Sequence, residues 1–165
     1  MAFFYKSLRV GKGGKVFTMW KIRTLKDGTD KVSSFASNDQ YLPLGRFLRR
    51  THLDELPNAL SLLNGNLALV GPRSEEAKSI NVLPQEIKKI LLSVRPGLTS
   101  LASLAFFDES QILEKATDPH RIYWERIKPA KILLDVFYIQ HRCLSLDLVI
   151  LWLTFKKILH SIWSR

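Results

Sequence analysis

The most constraining feature is the run from Leu48 to Arg73, LRRTHLDELPNALSLLNGNLALVGPR. An adjacent acid pair, Asp54 and Glu55, stands at its centre and Leu56-Pro57 follows. Arg49 and Arg50 come just before, and Arg73 closes the stretch in a Gly-Pro-Arg turn. Proline has no N–H and is tolerated in a helix only in the first turn. The pattern therefore predicts a helix with Asp54 as N-cap and Glu55 at the first helical position. It runs through Ala59, Leu60, Leu62 and Leu63 and stops near Asn64-Gly65. A carboxylate at that end lies in the positive pole of the helix dipole, which favours its ionised form by about 0.3–1 kcal/mol. Neighbours on a helix point about 100° apart, so the two acids need not share one task. Carboxylates beside guanidinium groups are suited to phosphate chemistry: the acid attacks or holds a metal, and the forked cations grip phosphate oxygens. The plain alternative is a capped helix, since Asp is a common N-cap and Thr51 can cap the turn itself.

Length and charge narrow the classes. A chain of 165 residues is sized for one domain with one real core. Its 25 basic and 15 acidic residues leave a formal charge of +10, which favours anionic partners: nucleic acid, anionic lipid or a phosphorylated substrate. A single cysteine, Cys143, excludes an intrachain disulfide framework and reads as a small buried apolar residue. The four histidines, His52, His120, His141 and His160, have no metal-site spacing among themselves or with Cys143. No apolar run reaches the 18 residues of a transmembrane helix, and no signal peptide is present. A nucleic-acid binder is disfavoured: no reading motif is visible, and the aromatics cluster with apolar residues rather than basic ones.

Along the chain, Phe3 to Val10 and Lys15 to Thr24 read as two strands around Gly11-Lys12-Gly13-Gly14, a hairpin rather than a phosphate loop. Alternation puts Lys21 and Arg23 on one face and Val16, Trp20 and Ile22 on the other. The cationic pair faces either a nucleotide diphosphate or solvent. Residues 25 to 41 are a polar loop, and Leu44 to Arg50 a basic helical turn. Glu75 and Glu76 fit the negative-charge preference of a helix start. Pro84 to Val94 is a helix with Ile87, Ile90, Leu91 and Val94 on one face. Asp108 caps a helix through Ala116, and Pro119 and Pro129 punctuate two more. From Leu144 to Trp163 runs a helix rich in Leu, Ile and Trp with Lys156, Lys157 and His160 beyond its apolar middle. It is either an interfacial helix over anionic lipid or a core helix.

Three segments share one resemblance: Leu53-Asp54-Glu55-Leu56-Pro57, then Gly65 to Arg73, then Arg95-Pro96-Gly97-Leu98-Thr99. With Arg9-Val10-Gly11, Phe17 to Thr24, Asp118-Pro119, Asp135 to Ile139 and Leu146-Asp147-Leu148, they resemble the bacterial sugar transferases, monotopic polyprenyl-phosphate phosphoglycosyl transferases. The likeness covers nearly the whole chain. It implies an α+β fold, mostly helical, with a small N-terminal β-hairpin and amphipathic interfacial helices, and one catalytic domain over residues 1–165. That domain is N-terminally truncated, because family members carry a membrane-dipping helix before the Arg-Val-Gly stretch. Ser74 stands where the family more often has a second proline.

The same resemblance implies the chemistry. A carboxylate takes a phosphosugar from a nucleotide-diphosphate sugar, such as a UDP-sugar, and a polyprenyl phosphate accepts it. This occurs at the cytoplasmic face of the bacterial inner membrane with Mg²⁺ as cofactor, and it initiates surface glycan synthesis. Asp54 matches the nucleophile and Glu55 the second acid, the two together forming the metal site. Arg49 and Arg73 match phosphate clamps, with Arg50 and Arg95 behind them. Lys21 and Arg23 match the nucleotide side, and Asp135 a family acid that otherwise reads as a helix-surface residue. The competing reading is a non-catalytic adaptor at the membrane surface.

Overall fold

The computed structural model describes residues 3–26 and 40–163, without the side chain of Arg50. Strands β1 (Phe4–Val10) and β2 (Val16–Ile22) form an antiparallel hairpin in which Phe4 faces Ile22 and Val10 faces Val16. The connection is a tight turn at Lys12–Gly14. There Gly13 and Gly14 take φ of 67° and 82°, left-handed values that favour glycine. Alternation holds, but the buried face is the one carrying Phe17, Met19 and Lys21, while Val16 and Trp20 are exposed. Phe17 and Met19 pack with Leu67 and Leu62 into a first core cluster. Lys21 is thereby carried inward, toward the acid pair.

Most of the expected 25–41 loop lies outside the described residues. Its ends are joined by a bridge between Leu25 and Tyr41. The basic helix α1 (Gly45–Arg50), a 3-10 helix (Leu53–Asn58) and α2 (Ala59–Leu63) then lead to β3 (Ala68–Val70). Helices α3 (Ala77–Asn81) and α4 (Gln85–Leu91) lead on to β4 (Gly97–Thr99). Strands β3 and β4 pair in parallel, Ala68 with Gly97 and Val70 with Thr99. This second small sheet was not foreseen, because three-residue strands carry no periodic signal. It brings the Gly-Pro-Arg turn beside Pro96-Gly97, and the two chains nearly touch. A Cβ on Gly97 would lie 2.2 Å from the Gly71 nitrogen and 2.3 Å from the Thr99 oxygen.

The remainder is helical: α5 (Leu101–Ala105), α6 (Glu109–Glu114), α7 (Pro119–Ile122), α8 (Lys128–His141) and α9 (Leu144–Trp163). Asp118 accepts from Arg121 N at 3.0 Å and caps α7, with Pro119 in the first turn. A π-helical turn, Tyr123–Ile127, joins α7 to α8 without a break and accommodates Pro129, which cannot donate and would crowd the preceding carbonyl. Asp108 precedes α6 but makes no side-chain cap, so the expected capping is absent. Cys143, expected to be buried, is exposed in the short α8–α9 connection, its Sγ 3.1 Å from Ser145 Oγ.

The second core cluster holds Val70, Tyr138 and Ile150 with Leu101, Ile139, Leu146 and Leu151 around them. Tyr138 donates to Asp147 Oδ1 at 2.6 Å, and Thr99 meets Thr154 at 2.9 Å, fastening α9 to α8 and β4. One side of α9 is thus core. The opposite side leaves Leu148, Trp152, Phe155 and Trp163 exposed, with Lys156 Nζ 4.4 Å from the Trp152 ring centroid. Among the described residues no helix is long and apolar enough to cross a membrane. The architecture is α+β and mostly helical, with the expected small N-terminal hairpin.

Candidate active site

The acid pair is positioned by a turn tighter than the sequence predicts. Asp54 is not an N-cap. It lies in the first turn of the 3-10 helix, whose cap position is His52 at φ 57°, and Pro57 sits inside that helix. Thr51 does not cap either: its hydroxyl donates back to Phe47 O at 2.8 Å, within the preceding helix. The reason is a contact distant in sequence. His52 takes the left-handed conformation and folds its ring against Phe107, centroids 4.6 Å apart, so the chain turns two residues earlier than the proline alone suggests. The α-helical part begins at Ala59 and ends, as expected, at Asn64-Gly65, where Gly65 has φ 69°.

Asn58 ties this turn to the hairpin. It is fully buried, and its Oδ1 accepts from Trp20 N at 2.9 Å. The next strand residue, Lys21, is placed against Glu55, and its ammonium forms an ion pair with Glu55 Oε1. Burial pushes the Glu55 carboxyl up, but Lys21 and Arg73 outweigh burial and hold it down at about 2. Asp54 differs. Burial raises it, Lys21 and Arg49 oppose the rise, Glu55 adds to it, and the result is about 6. Adjacent carboxyl groups driven apart in this way serve different purposes. Glu55 is a locked anion. Asp54 is the more basic, and so the stronger nucleophile of the two.

Arg73 is held at both ends. Its backbone N donates to Asp135 Oδ2 at 3.1 Å, and its Nη1 donates to Ser103 Oγ at 3.2 Å. Ser103 also receives the Ser100 hydroxyl at 3.0 Å, and Ser100 in turn caps α5 through Ser103 N at 2.8 Å. Asp135 is therefore not a helix-surface residue. It is 4 % exposed, because α8 turns that face onto the Gly-Pro-Arg segment. Nearby, Glu75 pairs with the buried Lys128 at 2.5 Å instead of merely opening a helix. Ser74, in place of proline, is buried and directs its hydroxyl to Met19 Sδ at 3.5 Å.

Burial, first, and the Glu75 charge raise the Asp135 carboxyl to about 7, against the opposing hydrogen bond from Arg73 N. Between the ordinary value of 3.8 and about 7 the folded protein keeps a proton that the unfolded chain releases. Stability therefore falls as pH rises through that window and levels off above it. Asp135→Asn keeps an acceptor for Arg73 N without the charge. We expect it to match the native protein near pH 4 and to exceed it above pH 7, by up to about 4 kcal/mol for a three-unit shift. Urea melts at the two pH values measure the difference.

A cleft opens where these elements meet, lined among others by Arg9, Lys21, Glu55, Arg73, Ser74 and Ser103. Of the expected site residues, Lys21, Glu55 and Arg73 line it. Asp54 is not among the lining residues and is 5 % exposed. Arg49 acts on Asp54 electrostatically while its guanidinium lies 5.9 Å from the Tyr41 ring centroid. Besides Asp54, the expected residues Arg49, Asp135, Arg23 and Arg95 are not in the cleft lining. Arg23 is one position beyond the end of β2, half-buried. Arg95 is exposed, its guanidinium near Gly65. The Arg50 side chain lies outside the described residues. Arg9 and Ser103 were not expected as site residues; each reaches the cleft through contacts far apart in sequence.

Among the described residues no three His, Cys, Asp or Glu side chains converge. Asp54 and Glu55 are the adjacent carboxylates that would hold a metal here, Glu55 sharing its charge with Lys21. That set fits Mg²⁺, which binds through one or two protein carboxylates and completes its octahedron with waters and substrate phosphates. The raised Asp54 carboxyl is a buried anion that a cation would stabilise.

EpsL of Bacillus subtilis, an uncharacterized sugar transferase, is 35% identical over 161 residues, covering 96% of this chain and 70% of its own. The UDP-glucose:undecaprenyl-phosphate glucose-1-phosphate transferase of Klebsiella pneumoniae is 33% identical, covering 93% of this chain and 32% of its own. The UDP-N-acetylgalactosamine-undecaprenyl-phosphate N-acetylgalactosaminephosphotransferase of Aeromonas hydrophila is 28% identical, covering 95% of this chain and 35% of its own. The chain thus spans about a third of the length of the last two relatives. The bacterial sugar transferase family matches residues 1–161, from before the hairpin into α9. With the acid pair, its lysine and the Gly-Pro-Arg arginine all inside that match, the chain belongs to the bacterial sugar transferase family.

Proposed function

We propose that the protein transfers a phosphosugar from a nucleotide-diphosphate sugar, most simply a UDP-sugar, to a polyprenyl phosphate. The observation that carries the reading is geometric: Asp54 and Glu55 are adjacent in one 3-10 turn, and Glu55 lines a cleft with Arg9, Lys21 and Arg73. An Asp54 oxygen attacks the sugar-bearing phosphorus. The new P–O bond forms as the bond to the bridging oxygen breaks, and the nucleoside monophosphate leaves. An oxygen of the polyprenyl phosphate then attacks the same phosphorus, the acyl-phosphate bond breaks, and the carboxylate is regenerated. The product is a polyprenyl-diphosphate sugar, the first lipid-linked unit of a surface glycan.

Two anions must meet in each step, so the cations have a defined task. Lys21 holds Glu55, and Arg73, aimed by Ser103 and anchored through Asp135, faces the phosphates. Mg²⁺ bound at Asp54 and Glu55 would supply further charge neutralisation. Because Asp54 is buried, attack needs the 3-10 turn to open its carboxylate to the cleft. The relatives named for UDP-sugar and undecaprenyl-phosphate substrates support the reaction class. Incubation with radiolabelled UDP-sugars, Mg²⁺ and polyprenyl phosphate in nanodiscs tests it: label must pass into the organic phase. A folded, reconstituted protein that transfers no label to lipid with any UDP-sugar would favour a non-catalytic adaptor.

The lipid acceptor requires a membrane surface, and the cytoplasmic face is where nucleotide sugars are available. The exposed Leu148, Trp152 and Phe155 with Lys156 suit the headgroup boundary. We expect Trp152→Ala/Lys156→Glu to weaken sedimentation with anionic vesicles at least tenfold, each cation near the surface contributing about 1 kcal/mol. Unchanged sedimentation would remove α9 from the docking surface.

A further inference from the structure

Arg9 has no part in the chemistry described so far. It lies on β1, opposite Phe17 in the hairpin register, and lines the same cleft as Lys21, Glu55 and Arg73. Its side chain is 20% exposed and held by three neighbours. Nε donates to Ser7 Oγ at 2.7 Å, Nη1 reaches Ser74 O at 3.5 Å, and Nη2 stands 3.6 Å from Glu76 Oε1. A guanidinium carries five N–H groups in a rigid fork. These contacts leave it with donors to spare, and the link to the partly exposed Glu76 is long and weak enough to give way to a stronger anion. The cleft lining sets three cations, Arg9, Lys21 and Arg73, against one carboxylate, Glu55. A sugar-linked diphosphate, with one negative charge on each phosphate, balances that excess.

We propose that Arg9 is a substrate-contacting residue that grips phosphate oxygens of the nucleotide sugar, completing with Lys21 and Arg73 a three-cation cradle. Arg95, the cation expected there from sequence, lies outside that lining. The inference rests on the functional reading above and adds a residue to its substrate site. An arginine fixed beforehand by Ser7 and Ser74 loses little freedom on binding, so its contacts appear as affinity.

The test is equilibrium binding of UDP, UDP-glucose and uridine to the full chain in nanodiscs, for native protein, Arg9→Met and Arg9→Lys, alongside steady-state kinetics. Arg9→Met is expected to weaken UDP and UDP-glucose about 10- to 100-fold, the loss of a hydrogen-bonded charge contact, and to leave uridine unchanged. KM should rise by a similar factor while kcat changes little. Arg9→Lys, which keeps the charge without the fork, should recover part of the affinity. If Arg9→Met fails to fold, the Lys variant carries the test, with an expected loss of at least about threefold. Native protein that binds UDP, with folded Arg9 variants that bind it equally well, overturns this inference alone. Native protein that binds neither UDP nor UDP-glucose overturns the functional reading, and the inference with it.

Discussion

Asp54→Asn is expected to lower turnover by about 10⁴-fold or more, the scale of removing a covalent nucleophile. The amide is nearly isosteric, so the 3-10 turn should survive. The stability readout separates this result from misfolding. Burial raises Asp54 to about 6, so at pH 8 the native protein bears an unfavourable buried charge that the amide lacks. Asp54→Asn should therefore be as stable as the native protein at pH 8, or more stable, while inactive. The same carboxyl governs the acid side of the pH profile. Burial raises it to about 6 in the metal-free protein and bound Mg²⁺ would favour its ionised form, so the acid limb of kcat/KM should move to lower pH as Mg²⁺ is raised. Glu55→Gln acts differently: it leaves Lys21 without its carboxylate and should reduce activity less than loss of the nucleophile.

The largest structural effect is expected at Gly97. A methyl group there meets backbone on two sides, the Gly71 nitrogen at 2.2 Å and the Thr99 oxygen at 2.3 Å, and neither can rotate away. The β3–β4 pair must separate, and with it go the bonds from Ala68 N to Pro96 O and from Gly97 N to Pro72 O. That releases the Gly-Pro-Arg turn and Arg73. Gly97→Ala should cost more than about 3 kcal/mol, the upper range of overpacking strain, and prevent folding in a marginal background. Gly65→Ala is the control. An alanine at 65 would be strained by the φ of 69° but meets only the end of the Arg95 side chain within 4 Å, so about 1–2 kcal/mol is expected. Chemical denaturation of the two variants ranks them, and equal losses would show that the glycine contact is not what holds the turn.

Local features were legible where one residue's backbone chemistry decides them. The hairpin, the helix end at Gly65 and the start of α7 at Pro119 follow from glycine and proline alone. Helix α9 was readable from its apolar composition, but whether it is interfacial or core stayed open, and the structure gives it one core side and one exposed apolar side. Features set by distant partners were not legible. Asp135 looks like a surface acid until α8 packs on Arg73, 62 residues earlier in the chain. Arg9 meets Ser74 across 65 positions. The N-cap expected at Asp54 failed because His52 adopts a left-handed turn that only its contact with Phe107 explains. Identifying the acid pair needed only the motif. Seeing that the two acids differ in basicity required Lys21, and Lys21 is placed by Asn58 gripping a strand whose inward face carries Phe17 and Met19.

The account turns on a covalent bond between the Asp54 carboxylate and the sugar-bearing phosphorus. Rapid-quench incubation of the reconstituted protein with nucleotide sugar and no polyprenyl phosphate, followed by intact and peptide mass spectrometry, measures it directly. The account predicts a mass increase of one phosphosugar on the peptide containing Asp54, absent in Asp54→Asn and discharged when polyprenyl phosphate is added. An active protein that forms no adduct, or carries it on a different residue, contradicts the account.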